Sequence, residues 1–471
     1  MKVEKRSIEF VPHGERYGRP RRLFTVWFST NLQVTALMIG TLGIASGLGL
    51  MWTLLGLLIG SMIGTVFMAA HSAQGPHLGV PQMIQSRAQF GVHGAAIPLL
   101  VMVTAAVLFM AASGVLMRDT LKSLLPVTDN QAILLIGVMT FVIGVVGYEL
   151  IHRMAAWMTL LSTLVFGTAL VLILIRASSM DMLHSPPGGF SGPAFNLVIA
   201  QAASWTLGYG PYVADYSRYL PADVRTRDTF WTTYFGCALG SLGMMGLGAL
   251  LASVVPSALD MDPGAAIADL FGPWAYIALM VVVLGVIQYN VLCLYSAYMS
   301  STTIFSGFAR LQQIRPGMKA LVMATLSVLA CWIATRTQYH FDTFFADILI
   351  GQLYLLIPWS AINLVDYYLI RRGKYHIGDL YDARGQYGRW NGRTMFAYAV
   401  SVLGTVPFMK LSFFEGYFAQ LIGADVSWIA GLSLAGLLYY LVQPHGAAAA
   451  ETKKYPNRSP LPGWANSEEQ G

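Results

Sequence analysis

Ser204-Trp205-Thr206-Leu207-Gly208-Tyr209-Gly210-Pro211-Tyr212-Val213-Ala214-Asp215-Tyr216-Ser217-Arg218-Tyr219-Leu220-Pro221 closes an apolar run that starts near residue 193. No Asp, Glu, Lys or Arg occurs from 182 to 214, and about 20 such residues suffice for a helix to cross a bilayer core. The run nevertheless carries Gly208, Gly210 and Pro211. Proline lacks a backbone donor and clashes with the carbonyl four residues earlier, so a helix stops or bends there and that carbonyl needs another partner. Irregular backbone at membrane depth is tolerated where it faces a cavity or a substrate instead of lipid. An apolar but interrupted crossing therefore points to transport rather than to anchoring.

The same pattern of missing charge extends over the chain. Of 471 residues 55% are apolar and only 11% charged, against about 25% in soluble domains, which excludes a soluble enzyme. Eleven charge-free stretches occur, and the first, 23–86, is long enough for two crossings. Twelve membrane helices are predicted, at 24–49, 51–71, 95–117, 131–149, 154–176, 193–214, 229–255, 274–306, 319–336, 343–370, 394–413 and 426–443. The stretch at 270–309 exceeds one crossing and predicts a short surface helix, seeded by Pro263 and Pro273, before segment eight. An even number of crossings puts both termini on one face. That face receives 24 of the 29 basic residues and 13 of the 23 acidic ones, a net +11 against −5 on the other, so the positive-inside rule makes it cytoplasmic. The pI near 9.1 then follows from orientation and implies no nucleic-acid partner. The expected organisation is a cytoplasmic segment 1–22, one transmembrane domain 23–443 and a cytoplasmic tail 444–471, in a cell (inner or plasma) membrane, with the first helix uncleaved.

Cys237, Cys293 and Cys331 fall inside predicted helices without ligand-like spacing and read as small buried residues, so no metal site is expected. There is no phosphate loop, nucleophile elbow or zinc-binding helix pair, and no enzyme or cofactor is expected. Segment one is the second interrupted crossing: Asn31, Gln33 and Thr35 precede Gly40, Gly43, Gly47 and Gly49. Two interrupted crossings, five apart, suggest a repeat architecture in which helices one and six are discontinuous. Gly56, Gly60 and Gly64 recur every four residues and predict close helix packing.

Several motifs resemble the nucleobase:cation symporter family of purine and cytosine permeases. They are Glu15-Arg16-Tyr17-Gly18-Arg19-Pro20; Pro81-Gln82-Met83 with Ser86-Arg87 and Phe90-Gly91; Ser204-Trp205 with Pro211 to Pro221; Asn290 with Tyr295-Ser296; and Pro358-Trp359-Ser360-Ala361-Ile362 with Asp366-Tyr367-Tyr368 and Arg371 to Tyr375. The resemblance implies an all-α, leucine-transporter-like fold of two inverted five-helix repeats, 24–176 and 193–370, with helices eleven and twelve outside them. It also implies a substrate site between the breaks of helices one and six. There Trp205 would stack on a planar base, with Ser204 and the Gly208 backbone at its edge, Asn290 would hydrogen-bond the ring, and Asn31, Gln33 and Thr35 would close the site. An amide supplies both donor and acceptor. Segment three departs from the best-known cytosine and hydantoin members, which carry a glutamine and a tryptophan there. Here only Thr104 is polar, and Phe109 offers an aromatic face. The expected ligand is a neutral nucleobase-like molecule; a purine, a nucleoside-like compound, a thiamine-type vitamin and an allantoin-type ureide all stay open.

Sodium-coupled relatives of this fold place hydroxyls on segment eight before the asparagine. Val281 to Val286 offers no side-chain oxygen, so proton coupling is expected over sodium. The carrier candidates are Glu149, His152, Asp215 and Asp347, since ionisable groups near membrane depth are functional suspects by default. Asp215 and Arg218, three apart, also read as an ion pair of an inner gate; Glu149 and His152 read as a helix end, Asp366 with Arg371 and Arg372 as a surface anchor, and His71 and His77 as polar caps. Two classes remain: a secondary active symporter, and a passive channel or receptor on the same scaffold.

Overall fold

The computed structural model describes residues 8–146, 148–179, 188–259, 263–309 and 316–443, and the expected tail 444–471 lies outside them. The chain is a bundle of helices in this order: α1 (Arg21–Asn31), α2 (Val34–Ala45), α3 (Leu50–Ser72), α4 (Gly75–Leu78), α5 (Gln82–Phe90), α6 (Ala96–Leu124), α7 (Asp129–Val146), α8 (Tyr148–Ser179) and α9 (Gly192–Leu207). There follow α10 (Val213–Ser217), α11 (Thr226–Val254), α12 (Pro263–Phe271), α13 (Ala275–Ala309), α14 (Pro316–Thr337), α15 (Phe341–Val365), α16 (Gly392–Thr405), α17 (Tyr417–Ile422) and α18 (Ser427–Val442). A two-stranded hairpin, β1 (Lys410–Leu411) with β2 (Phe414–Glu415), lies between α16 and α17.

Each predicted crossing overlaps a helix, the eleventh only as far as Thr405 before the chain turns into the hairpin, and α12 is the short helix expected before segment eight. Among the described residues, eight helices are long and apolar enough to cross a bilayer, and the pair α1 and α2, bent by 58°, makes a ninth. The remaining expected crossings are shorter. Helix α9 has 16 residues, α16 has 14 and α18 has 16, because Gly208 to Pro211 interrupts the first and Pro407 follows the second.

Segment one breaks elsewhere than its glycines suggest. The bend falls at Leu32 and Gln33, where the Gln33 side chain caps α2 by accepting from the Thr35 amide at 2.7 Å. Gly40 lies inside α2 and serves packing: a Cβ there would come within 1.8 Å of the Met245 carbonyl on α11. The four-residue glycine repeat of α3 does the same against α9. A Cβ on Gly60 would meet the Ile199 carbonyl at 2.3 Å, and one on Gly64 would meet the Ala203 carbonyl at 2.3 Å.

Both ends of the described chain lie at one end of the bundle. Tyr381 Oη donates to the Ile8 carbonyl at 2.7 Å and Arg87 Nη1 to the Leu380 carbonyl at 3.0 Å. Gln443 Nε2 donates to Thr394 Oγ1 at 3.0 Å, and Thr394 Oγ1 to the Gln89 carbonyl at 2.6 Å. An even number of crossings agrees with this. The short helices α4 and α5 are buried at the same end. There Arg87, whose guanidinium burial pulls down to about 10 and which therefore stays charged, donates to the Thr303 carbonyl at 2.6 Å and to Ser306 Oγ at 2.7 Å.

Candidate functional site

The two interruptions face one another. Helix α9 ends at Leu207, a single tight turn spans Gly210–Tyr212, and α10 resumes at Val213. Trp205, in the last turn of α9, donates its indole N–H to Asn31 Oδ1 at 2.7 Å, and Asn31 is the last residue of α1. The same oxygen accepts from Tyr209 Oη at 3.4 Å, while Asn31 Nδ2 donates to the Trp27 carbonyl at 2.7 Å. An amide oxygen has two lone pairs, so Asn31 is saturated by protein groups and holds Trp205 in place.

Around the indole stands a ring of aromatic side chains. Tyr289 of α13 stacks on it with centroids 5.5 Å apart and planes at 21°. Phe109 of α6 and Tyr209 meet it edge-on at 6.1 and 5.8 Å. Beside this cluster lies a small cavity of about 20 Å³, lined by Met102, Ala105, Phe109, Trp205, Tyr289 and Gln352 and completed by Ala106, Gly208, Tyr209, Tyr212 and Cys293. Met102, Ala105, Ala106 and Phe109 share one face of α6 by their spacing, and the two alanines leave the room. No charged side chain lines it, so the arrangement suits a neutral ligand with an apolar, planar body.

Trp205, Phe109 and Gly208 thus lie on the cavity, and Ser204 stands immediately behind it. Ser204 Oγ donates to the Leu349 carbonyl and is fully buried. Four expected residues are placed elsewhere. Asn290 turns to the far side of α13, where its Oδ1 accepts from Ser113 Oγ at 2.5 Å and it lines a second cavity with Met110, Gly114, Thr140 and Ser327. One residue along the helix, Tyr289 takes the cavity-facing position. Thr104 is exposed on the outer face of α6. Gln33 caps α2 through its oxygen and leaves Nε2 buried without a partner; it packs over Gly285, whose Cβ would lie 3.6 Å from the Gln33 Cβ. Thr35 is buried within α2.

The ionisable candidates lie away from the aromatic cluster. Asp215 is buried and accepts from the Gln82 backbone amide at 2.8 Å, joining α10 to the start of α5. Arg218 Nε donates to the Asp215 carbonyl at 3.3 Å and its Nη1 to the Glu9 carbonyl at 3.1 Å. Asp347 accepts from Ser412 N at 3.0 Å and Ser412 Oγ at 2.5 Å, in the loop of the β-hairpin. Asp347 and Asp366 stand about 28 Å apart along α15 and its continuation, at 1.5 Å per residue, so Asp347 belongs to the opposite end of the bundle from Asp215. The Glu149 and His152 side chains lie outside the described residues.

Near Asp215 a polar network joins the two halves of the chain. His71 stacks on Trp359 at 4.8 Å, shares a hydrogen bond of 2.8 Å with Ser360 Oγ, and is 3.3 Å from Gln82 Nε2. Trp359 Nε1 donates to Ser86 Oγ at 2.9 Å and Gln74 Nε2 to Asn363 Oδ1 at 3.0 Å. Asp366 accepts from Arg371 Nε at 3.2 Å, Gln89 Nε2 at 2.7 Å, Tyr375 Oη at 2.7 Å and Tyr439 Oη at 2.8 Å. The anchor read from Asp366 and Arg371 is thereby a hub that also holds α18.

Sequence reasoning missed Tyr209, Tyr212, Tyr289, Cys293 and Gln352. The two tyrosines of the Gly-Tyr-Gly-Pro-Tyr turn were legible as neighbours of the break, and Tyr289 with Cys293 as a four-residue spacing on one helix face. Gln352 had no local signal.

Comparisons with known proteins place the chain in a family and a fold. A family model described as a permease for cytosine/purines, uracil, thiamine and allantoin matches residues 10–442. YxlA of Bacillus subtilis, provisionally named a purine-cytosine permease, is 40% identical over 94% of this chain and 96% of its own. The purine-cytosine permease fcyB of Emericella nidulans is 25% identical over 94% and 89%. Among solved structures, Mhp1, a nucleobase-cation-symport-1 family transporter held closed with bromovinylhydantoin bound, superposes with a TM-score of 0.77 at 18% identity, covering 99% of this chain and all of that one.

Proposed function

Because the chain belongs to the family of permeases for cytosine/purines, uracil, thiamine and allantoin, we propose that it imports a nucleobase or related planar heterocycle by proton symport through alternating access. It is a membrane transporter and not an enzyme, with the leucine-transporter-like fold of Mhp1. The proposal adds twelve crossings as two inverted five-helix repeats plus two accessory helices, with both termini cytoplasmic in the cell (inner or plasma) membrane. The excess of basic residues on the terminal face supports that orientation.

One observation carries the substrate reading: the uncharged aromatic cluster of Trp205, Tyr289, Phe109 and Tyr209 beside a cavity, at the junction of two interrupted helices. Aromatic faces favour offset-stacked or edge-on partners, which a neutral heterocycle supplies. Alternating access then requires the network of His71, Gln82, Asp215 and Trp359 to part when the ligand leaves toward the terminal face. Asp215, with Arg218, is the ionisable group best placed to sense that opening.

Proton coupling is favoured by the break of segment one. There Gln33 turns its amide nitrogen, not an oxygen, into the buried space, and Gly285 opposite has no side chain. A hard cation needs several oxygen ligands. The test is uptake into proteoliposomes of radiolabelled purines, pyrimidines, allantoin and thiamine. Accumulation that collapses with a protonophore and survives sodium removal is expected for one of the first two classes. Equilibration without accumulation overturns the symport reading in favour of a passive channel.

A further inference from the structure

The hydrogen bonds behind the cavity fix the polarity of one side chain that faces it. Ser204 Oγ gives its only hydrogen to the Leu349 carbonyl on α15. That hydroxyl can then only accept. The nitrogen of Gln352, three residues further along α15, lies 2.8 Å from Ser204 Oγ and 3.1 Å from the Ser204 carbonyl. Both of these oxygens can only accept, and the carbonyl also takes the Gly208 N–H at 2.8 Å. The amide nitrogen of Gln352 must therefore face Ser204, and the reversed amide would set oxygen against oxygen twice. Its Oε1 is left turned away from Ser204, on the wall of the cavity, with no protein donor among the described residues.

Gly208 makes this placement possible. A Cβ there would lie 3.1 Å from Gln352 Oε1 and 3.2 Å from Nε2, so any larger residue would push the amide aside. Among the described residues no other side-chain amide lines the cavity. Asn31 Oδ1 is taken by Trp205 and Tyr209, Asn290 Oδ1 by Ser113 across α13, and Gln33 Oε1 by the Thr35 backbone. The remaining polar lining is the tyrosine hydroxyls and the Cys293 thiol, which rotate to donate or accept.

We infer that Gln352 Oε1 is the fixed acceptor of the site, which reads an N–H on the edge of the bound heterocycle and disfavours the same ring alkylated at that nitrogen. The inference rests on the nucleobase reading above and names the group that supplies its selectivity. With Gln352 buried, the cost of an unmet carbonyl falls on the ligand that brings no donor.

The test is competition binding on the purified full-length protein with adenine, hypoxanthine, guanine, cytosine and uracil and with each of their ring-N-methyl derivatives. For the nucleobase that binds, one N-methyl isomer is expected to bind about tenfold weaker or worse, as loss of a hydrogen bond to a buried carbonyl predicts. Gln352→Met keeps length and packing but removes the acceptor. It should weaken the parent by about the same factor and leave the methylated isomer nearly unchanged, so that the discrimination collapses. Gly208→Ala, which displaces the amide without removing it, should act in the same direction and decides the matter if the methionine variant does not fold. Unchanged discrimination in a folded variant overturns the inference and leaves the nucleobase reading standing. If the wild-type protein binds none of the panel, the nucleobase reading fails, and the inference with it.

Discussion

The indole N–H of Trp205 donates to Asn31 Oδ1 at 2.7 Å, joining the last turn of α9 to the last residue of α1. Asn31 is fully buried, so this bond is shielded from water and sets the angle of the ring that forms one wall of the cavity. Asn31→Leu would strand the indole N–H, at a cost of about 1–3 kcal/mol. We expect weaker ligand binding, by about tenfold, together with a lower Tm. Asn31→Asp, which keeps the acceptor, should preserve more of the binding. The check is ligand affinity and thermal stability measured on both variants; equal loss in the two would show that the bond to Trp205 is not what matters.

Trp205 itself separates stacking from anchoring. Trp205→Ala removes the ring against which Tyr289, Phe109 and Tyr209 pack and should abolish uptake while the protein still reaches the membrane. Trp205→Phe keeps an aromatic face and loses only the bond to Asn31, so uptake should persist with a raised KM. Uptake in vesicles, normalised to protein in the membrane, distinguishes the two; wild-type rates in the alanine variant would remove Trp205 from the site.

The cavity can be filled from α6. Ala105 and Ala106 are buried on its wall where a larger side chain would project into the space beside Trp205. Ala105→Phe should therefore block binding, at a cost in stability of about 1–3 kcal/mol because the ring must also displace neighbours. Substitution of exposed Thr104 on the same helix should leave uptake unchanged. A blocked Thr104→Ala variant, or an active Ala105→Phe one, would place the ligand elsewhere.

How far the sequence went depends on how local each signal is. Missing charge marks a crossing over about 20 residues, and the long helices of the bundle were legible that way, with the short α12 from Pro263, whereas α4, α5 and α17 were not expected. The break at Gly208 to Pro211 was equally legible, because proline acts on its own backbone. The break of segment one was read from its polar residues and glycines together and falls at Gln33, among the former; Gly40 answers to the carbonyl of Met245 on α11, which no local pattern encodes. Asn290 and Tyr289 show the limit most plainly. Adjacent helix residues point about 100° apart at 3.6 per turn, so a step of one residue separates Tyr289 on the cavity from Asn290 against Ser113. Gln352 was invisible because its role depends on Ser204, 148 positions away.

The buried ion pair of Asp366 and Arg371 makes a further prediction. Asp366 accepts four hydrogen bonds, from α5, α18 and the segment after α15. Removing one partner of a buried pair typically costs about 3–5 kcal/mol. Arg371→Met should then lower Tm and membrane yield sharply, more than Asp366→Asn, which retains acceptor and donor capacity among the tyrosines. Yield and Tm of the two variants check the order.

The glycines of α3 should form a graded series. Gly60 and Gly64 face backbone carbonyls of α9 within 2.3 Å of where a Cβ would stand, whereas Gly56 faces side chains, Val198 at 3.0 Å and Phe195 at 3.4 Å. A side chain can rotate away, but a helix backbone has to move as a body. Alanine at 60 or 64 should therefore cost about 1–3 kcal/mol by overpacking, and alanine at 56 measurably less. Because α9 carries Trp205, pushing it away from α3 should also loosen the cavity, so uptake and Tm should fall together along the series. Equal Tm values for Gly56→Ala and Gly60→Ala would mean that α3 and α9 are not in backbone contact, and the glycine repeat would then need another explanation.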